Sequence, residues 1–130
     1  MAKKRITLSV ALAVYNEASN LERCLRSVGN LADEVIVVDG GSSDATADIA
    51  KRLGAKVYHT DNPAMFHINK QKALDKSSGE WILQLDADEV VSASLKEEIR
   101  DVIVSGLTPN GYFISRHNYF LGDWLRKGGQ

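Results

Sequence analysis

The chain of 130 residues lacks several features that would place it in a special class of protein. Its one cysteine, Cys24, cannot form an internal disulfide, which excludes a disulfide-stabilised scaffold. No apolar run approaches the roughly 18 residues of a membrane span. The basic residues 3–5 are not followed by a signal-peptide cleavage site. Lys and Arg (16) nearly balance Asp and Glu (17), so we expect no nucleic-acid partner.

The sequence also lacks the glycine-rich motifs that bind phosphate groups. Neither G-x-G-x-x-G after the first predicted strand nor G-x-x-x-x-G-K-[ST] anywhere is present. These absences disfavour dinucleotide-dependent redox chemistry and P-loop hydrolysis. The unpaired Cys24 lies on an apolar helical pattern, which predicts a buried core residue. A free cysteine and the absence of a targeting segment favour the cytoplasm.

Apolar runs alternate with helical patterns along the whole chain. This alternation predicts an α/β domain over residues 1–130, with a mostly parallel sheet covered by helices on both faces. The predicted strands are 6–14, 34–38, 56–60, 80–85 and 112–115. The predicted helices begin at a capping box at Ser19, at Ser43 or Asp44, near Ile68, and at a second capping box at Ser94.

Polar residues follow three of the predicted strands. Tyr-Asn-Glu (15–17) follows the first, Asp-Gly-Gly-Ser-Ser-Asp (39–44) the second, and Asp-Ala-Asp-Glu (86–89) the fourth. Ligands of open α/β sheets bind outside the carboxyl ends of the strands, where these segments meet. The convergence of acids, glycines and hydroxyls at one edge predicts a binding site there.

Asp86 and Asp88 are candidate metal ligands. Carboxylate oxygens at this short spacing suit Mg²⁺ or Mn²⁺, and such an ion keeps waters and binds substrate phosphate beside one or two carboxylates. The alternative is a solvated turn. Because acids end two other strands at the same edge, we favour the metal site.

Asp39 has two candidate roles. Its carboxylate can cap the following helix, or it can accept hydrogen bonds from a nucleobase or a sugar. Ser42, Ser43 and Asp44 can supply the cap, so we favour the ligand role.

Other charged side chains carry weaker signals. Lys70 and Lys72 lie in a polar helix whose ordinary role is a solvated face, but one cation reaching a diphosphate fits an otherwise acidic edge. The histidines are not at metal-binding spacing, and we predict solvated or structural roles for His59, His67 and His117.

Together, the motifs resemble the signatures of family 2 glycosyltransferases, which are inverting enzymes with the GT-A fold and nucleotide-sugar donors. The resemblance covers essentially the whole chain, but only the donor-binding half of the family's domain. Residues 112–122 further resemble the branch that adds sugars to the lipopolysaccharide inner core. The matching segments are Ala13-Val14-Tyr15-Asn16-Glu17, residues 37–46 (Val-Val-Asp-Gly-Gly-Ser-Ser-Asp-Ala-Thr) and Leu85-Asp86-Ala87-Asp88-Glu89.

The resemblance implies a role for each matching residue. Tyr15 and Glu17 would contact the nucleoside, and Asp39 would read the base. Lys70 would lie near the diphosphate, although Gln71 stands where the family more often has Asn. The last two positions are acidic: Asp86 would lie by the ribose or the metal's water shell, and Asp88 would ligate the metal directly.

The resemblance also implies what this chain does not contain. The family's general base comes from the acceptor half of the domain, so we expect it beyond residue 130 and assign no catalytic residue. The expected partners are a nucleotide-sugar donor, most simply a UDP-sugar, and an acceptor glycan or glycolipid at the inner face of the membrane. A sheet edge left exposed by the absent half would favour self-association. The alternatives are a nucleotidyltransferase and a non-catalytic nucleotide-binding module.

Overall fold

The computed structural model describes residues 6–60, 66–105 and 113–114. Strands and helices alternate within them in the predicted order. The predicted β-α alternation is confirmed, with boundaries that shift by one or two residues. The elements are β1 (Leu8–Val14), α1 (Ala18–Val28), β2 (Glu34–Asp39), α2 (Thr46–Arg52), β3 (Lys56–His59), α3 (Phe66–Lys76), β4 (Trp81–Gln84), α4 (Ala93–Val104) and β5 (Phe113–Ile114).

The five described strands form one sheet in the order β3-β2-β1-β4-β5, and every adjacent pair is parallel. β1 lies at the centre and is buried along its whole length. The chain moves from β1 towards β3 on one side and then crosses to β4 on the other side of β1. This reversal makes the carboxyl edge between β1 and β4 the switch point, where ligands of such sheets bind.

Helices cover both faces of the sheet, as predicted. The larger core cluster joins β1 and β4 to apolar side chains of α1, α2 and α4, among them Leu21, Ala50 and Ile99. The smaller cluster, on the opposite face, joins the sheet to α3 through Ala73. None of the helices in the described residues combines the length and the apolar character that crossing a bilayer requires.

Both predicted capping boxes are wrong. α1 begins at Ala18, so Ser19 lies inside the helix, and the residue before the helix, Glu17, makes no side-chain cap. At α4 the cap is Ser92, whose side chain accepts a hydrogen bond from the backbone N–H of Leu95. Ser94 therefore lies within the first turn. Two serines two residues apart offer the same local chemistry, and the chain uses the first.

The two ends of α2 differ in how their backbone groups are satisfied. The helix begins at Thr46, and Asp44, outside it, accepts the backbone N–H of Thr46 at 3.0 Å. At the other end Gly54 has φ 91°, and the N–H groups of Gly54 and Ala55 donate to the carbonyls of Lys51 and Ala50. This pair of bonds is a Schellman motif, in which Gly54 ends the helix.

A polar cluster closes the amino end of the sheet, opposite the predicted site. The buried carboxylate of Glu34 accepts hydrogen bonds from the hydroxyl of Ser9 at 2.5 Å and from the backbone N–H of Ser78 at 2.6 Å. Lys56 lies 3.3 Å from its other oxygen. Gly79 is packed so tightly here that an added Cβ would lie 2.7 Å from the backbone nitrogen of Ser9. Only glycine fits at this approach.

Candidate functional site

The three polar loops lie at the carboxyl edge of the sheet, as the strand-end argument predicted. The last residue of β1, Val14, is in register with the last residue of β2, Asp39. The loop of residues 85–89 follows β4, the other neighbour of β1. Carboxylates from separate parts of the sequence therefore lie at the same edge of the sheet.

Hydrogen bonds join the loop after β1 to the loop after β2. Asn16 has φ 52°, a left-handed conformation that a non-glycine residue adopts rarely. Its backbone N–H donates to the hydroxyl of Ser42 at 2.8 Å, and its side-chain oxygen accepts the N–H of Ser43 at 2.8 Å. The N–H of Glu17 donates to the hydroxyl of Thr46 at 2.9 Å. The two loops therefore form one rigid unit.

The start of α1 is held by the same unit. Its first N–H group, on Ala18, donates to the carboxylate of Asp44 at 3.2 Å. The hydroxyl of Thr46 donates to the same carboxylate, and this bond, helped by the backbone N–H groups, lowers the pKa of Asp44. The cap of α1 thus comes from Asp44, in the loop after β2. This explains why the local capping box at Ser19 is not used.

Tyr15 and Glu17, which were predicted to contact a nucleoside, lie next to this unit. The ring of Tyr15 is partly exposed and directly follows β1. Glu17 is half-buried, and one of its carboxylate oxygens accepts a hydrogen bond from the side-chain amide of Asn20 at 3.1 Å. Tyr15 is therefore open to a ligand, whereas Glu17 is already partly engaged by the first turn of α1.

Asp39 is the most enclosed acid at this edge. Its side chain is 3% exposed. The hydroxyl of Ser42 donates to its Oδ1 at 2.5 Å, and the N–H of Ser42 lies 3.3 Å from both oxygens. Nδ1 of His59 lies 3.5 Å from Oδ2. The structure thus adds His59, predicted to be merely solvated or structural, to the surroundings of Asp39.

The three carboxylates of the loop after β4, those of Asp86, Asp88 and Glu89, differ in their exposure to solvent. Glu89 is buried and accepts the backbone N–H of Asp86 at 2.8 Å, while its own N–H donates to the Asp86 carbonyl at 3.0 Å. Asp88 is exposed, and the side chain of Asp86 is 49% exposed. Glu89 therefore shapes the turn, and Asp86 and Asp88 face the space beyond it.

Lys70 of α3 reaches this loop. Its Nζ lies 3.2 Å from Oδ1 of Asp86. The neighbouring cation Lys72 lines a separate cleft beside β3 instead. The structure thus distinguishes two lysines that the sequence pattern treated alike, and it brings the positive charge of Lys70 to the acidic edge.

Asp86 and Asp88 supply the hard oxygen donors that Mg²⁺ and Mn²⁺ prefer. In the described residues no three His, Cys, Asp or Glu side chains gather closely enough to form a metal cage. Two carboxylates fit an ion that completes its coordination with water and with phosphate oxygens of a ligand. They do not fit a structural metal held by protein atoms alone.

Cys24 lies beneath the acidic loop and is 1% exposed, which confirms the predicted core position. Its Sγ donates weakly to the Asp86 carbonyl at 3.6 Å. Burial, reinforced by the negative charges of Glu89, Asp88 and Asp86, raises the pKa of the thiol to about 12.

We therefore expect no reaction of the folded protein with Ellman's reagent at pH 8, because the thiolate is the nucleophile. The chain unfolded in guanidinium chloride should release one equivalent of the chromophore. Equal rates for folded and unfolded protein would contradict the buried position of Cys24.

A parallel α/β sheet whose strand order reverses at its centre is the architecture of Rossmann-like doubly wound proteins. Comparison with known proteins specifies the family: the sequence model of glycosyl transferase family 2 matches residues 9–124, and the chain belongs to this family. The lipopolysaccharide core biosynthesis glycosyltransferase LpsC of Rhizobium meliloti is 28% identical over 122 residues, which cover 91% of this chain and 45% of LpsC.

Solved structures agree with this family. The crystal structure of S. aureus TarS 1-349 in complex with UDP matches with a TM-score of 0.64 at 27% identity, covering 75% of this chain and 31% of that chain. Glucosyl-3-phosphoglycerate synthase from Mycobacterium tuberculosis, solved with Mn²⁺, UDP and glucosyl-3-phosphoglycerate, matches with a TM-score of 0.51 at 29% identity, covering 63% and 33% of the two chains.

These comparisons confirm the GT-A fold and the predicted resemblance to family 2 glycosyltransferases, and a relative named for lipopolysaccharide core biosynthesis is among the matches. Family membership favours glycosyl transfer over the nucleotidyltransferase alternative. This chain spans between 23% and 34% of the length of its curated relatives of 39–43% identity.

Proposed function

We propose that residues 1–130 form the donor-binding part of an inverting, metal-dependent glycosyltransferase. The observation that carries the proposal is the contact of Lys70 with Asp86 at the switch point, in a loop that also exposes Asp88, at the same sheet edge as Tyr15 and Asp39. Carboxylates for a cation and a lysine for phosphate oxygens are what a nucleoside diphosphate needs. Two structural neighbours were solved with UDP, one of them also with Mn²⁺, which supports a UDP-sugar and a divalent cation here.

In this proposal the ligand lies across the carboxyl edge of the sheet. The exposed ring of Tyr15 and the side chain of Glu17 contact the nucleoside, and Asp39 accepts a hydrogen bond from the base. Lys70 approaches the diphosphate from α3. Asp88 ligates Mg²⁺ or Mn²⁺, and Asp86 lies by the ribose or the water shell of the ion.

Charge explains why the cation and the lysine are both needed. A diphosphate placed against Asp86 and Asp88 alone would be repelled, because like charges at close range destabilise each other. Lys70 already offsets part of this negative charge at 3.2 Å from Asp86. When bound, the ion would offset the charge of the departing nucleoside diphosphate.

The transfer itself needs a general base to accept the proton of the acceptor hydroxyl. We propose that this base lies beyond residue 130, in the acceptor half of the domain. Glu89, the acid nearest the proposed metal ligands, is bonded to the backbone of its own loop. We therefore expect the isolated chain to bind donor while transferring or hydrolysing sugar far more slowly than a complete enzyme. Turnover at ordinary enzymatic rates would show that the base lies within these residues.

Isothermal titration calorimetry with UDP tests donor binding. We expect heat of binding in the presence of Mn²⁺ and little or none in EDTA, because an ion held by Asp88 would offset the repulsion between the diphosphate and the carboxylates. UMP, which has one phosphate fewer, should bind more weakly under the same conditions. Equal affinity with and without Mn²⁺ would overturn the metal assignment, and no binding of UDP under either condition would overturn the donor site.

Lys70→Ala is expected to weaken UDP binding by about tenfold, because it removes one partly exposed, charge-assisted contact to phosphate. Lys72→Ala is the matched control, since Lys72 has the same charge on the same helix but lines the cleft beside β3. Calorimetry in Mn²⁺ should show little change for the control. Equal losses for the two variants would indicate a general electrostatic effect instead of a contact at Lys70.

The similarity to LpsC supports a cell-envelope acceptor such as lipopolysaccharide core. We propose that the chain acts in the cytoplasm at the inner face of the membrane, through peripheral contact. The predicted self-association through an exposed sheet edge stays a prediction. Sedimentation velocity over a concentration series tests it, and a constant monomer mass would contradict it.

A further inference from the structure

The loop after β4 presents Asp88 within a tight turn. The backbone N–H of Glu89 donates to the carbonyl of Asp86 at 3.0 Å, and the carboxylate of Glu89 accepts the backbone N–H of Asp86 at 2.8 Å. These two bonds close a turn over residues 86–89, and Asp88 is one of its two central residues. Asp88 is exposed, so the place where its carboxylate lies depends on how the turn is held against the rest of the domain.

The two ends of this loop are held by different elements. On the side of β4, the backbone N–H of Leu85 donates to the carbonyl of Ala11 in β1 at 3.0 Å. On the side of α4, the backbone N–H of Val91 donates to the hydroxyl of Ser27 in α1 at 2.8 Å. Asp88 lies midway between Leu85 and Val91 in the sequence. Loss of either bond would therefore free one side of the turn.

Ser27 is held in an orientation that suits this bond. Its hydroxyl donates to the carbonyl of Cys24, in the preceding turn of α1, at 2.6 Å. A hydroxyl has one proton and two lone pairs, so the same oxygen can accept the N–H of Val91. Val91 is 4% exposed, and water therefore cannot readily replace Ser27 as the acceptor. The bond joins α1 to a loop that lies 64 positions further along the chain.

Cys24 makes a second contact between α1 and the same loop. Its Sγ donates weakly to the carbonyl of Asp86 at 3.6 Å. Residues three apart on a helix lie on one face, so Cys24 and Ser27 support the loop from the same side. A thiol is a weak donor, whereas the hydroxyl of Ser27 is a full acceptor for a backbone N–H. Ser27 is therefore the stronger of the two supports.

We propose that Ser27 is a positioning residue of the cation site: by holding the backbone of Val91, it sets where the turn presents Asp88. The inference rests on the proposed function, in which Asp88 ligates Mg²⁺ or Mn²⁺. Ser27 acts through the loop and does not touch the ion. Mg²⁺ demands near-ideal geometry, and a loop already held in its bound conformation loses less entropy when the ligand binds. Ser27 belongs to none of the three motifs that follow the strands.

Ser27→Ala removes the acceptor of the Val91 N–H and is expected to weaken UDP binding in Mn²⁺ by about two- to tenfold, the effect of one hydrogen bond. Ser27→Thr keeps the hydroxyl, which a helical threonine can also direct at the carbonyl of the preceding turn, and should bind nearly as tightly as the unmodified chain. Ser77→Ala is the matched control, because the Ser77 hydroxyl likewise donates to a helical carbonyl, that of Ala73 at 2.8 Å, but at the opposite end of the sheet. Calorimetry should show unchanged affinity for this control.

A combined variant distinguishes positioning from a general loss of structure. Asp88→Ala leaves no carboxylate at this position to be placed, so adding Ser27→Ala to it should weaken UDP binding much less than Ser27→Ala does alone. NMR titration with UDP and Mg²⁺ measures these weaker affinities for the unmodified chain, both single variants and the double variant. Equal losses from Ser27→Ala with and without Asp88 would show that Ser27 acts on the domain as a whole, and the inference would be wrong.

The remaining outcomes separate this inference from the proposed function. If Ser27→Ala binds UDP as tightly as the unmodified chain, or if Ser27→Thr loses as much affinity as Ser27→Ala, the inference fails while the proposed function stands. Should Ser27→Ala not fold, Ser27→Cys provides the same test, because it replaces the oxygen with a poorer acceptor and leaves no cavity. Unchanged affinity of that variant would also contradict the inference. If the unmodified chain does not bind UDP in Mn²⁺, the proposed function fails, and this inference fails with it.

Discussion

Asp88→Ala is expected to lower the affinity for UDP in Mn²⁺ by about a hundredfold or more. Loss of groups that only support a metal ligand already costs about 10- to 100-fold in metal affinity, so loss of a direct ligand should cost at least as much. Asp88 is exposed at the end of a turn that is shaped by Glu89 and Asp86. Its substitution therefore removes a carboxylate without opening a cavity, and the fold should be unaffected.

Calorimetry with UDP in Mn²⁺ measures this loss. Asp101→Ala, which removes an exposed carboxylate of α4 and the same formal charge, is the matched control and should bind as the unmodified chain does. In EDTA, all three proteins should bind UDP equally weakly. Unchanged affinity of Asp88→Ala in Mn²⁺ would show that Asp88 does not hold the cation.

Glu34→Ala is expected to reduce the free energy of unfolding by about 3 kcal/mol, because it leaves several donors without an acceptor in a buried place. The donors are the hydroxyl of Ser9, the N–H and hydroxyl of Ser78, and the ammonium of Lys56. Lys56 is largely exposed, so water can solvate it, and the cost comes mainly from the serines and the backbone. Denaturation in urea, followed by circular dichroism, measures the change.

The loss of stability at acidic pH provides a second measurement of what the Glu34 cluster contributes. Burial by itself raises the pKa of Glu34, but hydrogen bonds from Ser78 and Ser9, together with Lys56, outweigh it and lower the pKa below its ordinary value of 4.5. A lowered pKa in the folded state stabilises the protein above pH 4.5, and this stabilisation is lost as the pH falls through the folded-state pKa.

Glu34→Gln should therefore lose less stability on acidification below pH 4.5 than the unmodified chain. Glu97→Ala, an exposed change on α4, should stay within about 0.5 kcal/mol of the unmodified chain at neutral pH. An acid-unfolding midpoint that Glu34→Gln leaves unchanged would contradict this account of the cluster.

The order of elements could be predicted from the sequence because most strands are apolar runs and most helices have an apolar face, although β3 and the polar helix α3 have weaker patterns. The start of α1 could not, because its capping partner is distant in sequence, and at α4 the local pattern did not distinguish Ser94 from the actual cap, Ser92. The first N–H of α1, on Ala18, is satisfied by Asp44, 26 residues away. A local pattern such as the one at Ser19 contains no information about such a partner. Only the folded arrangement of the loops after β1 and β2 shows that a capping box at Ser19 is unnecessary.

The candidate site could be located from the ends of the strands, but its contacts could not all be listed. The sequence singled out Lys70 and Asp86 separately, and the structure brings them to 3.2 Å. The contact of His59 with Asp39 was not predicted, because the spacing of His59 to other histidines and acids indicated nothing. A signal existed in the register: Asp39 and His59 are the last residues of two neighbouring parallel strands.

The asymmetry between the two faces of the sheet has a consequence for how the protein opens. α1 and α3 are both 11 residues long, but α1 buries Leu21, Cys24, Leu25 and Val28, whereas the described side chains of α3 that are buried are the small Asn69 and Ala73. Less buried apolar area means a lower free energy of local unfolding. Backbone amides of α3 should therefore exchange with deuterium before those of α1. α3, the helix that carries Lys70, should therefore detach more readily than α1, and under the proposed function its detachment would withdraw the Lys70 ammonium from the diphosphate.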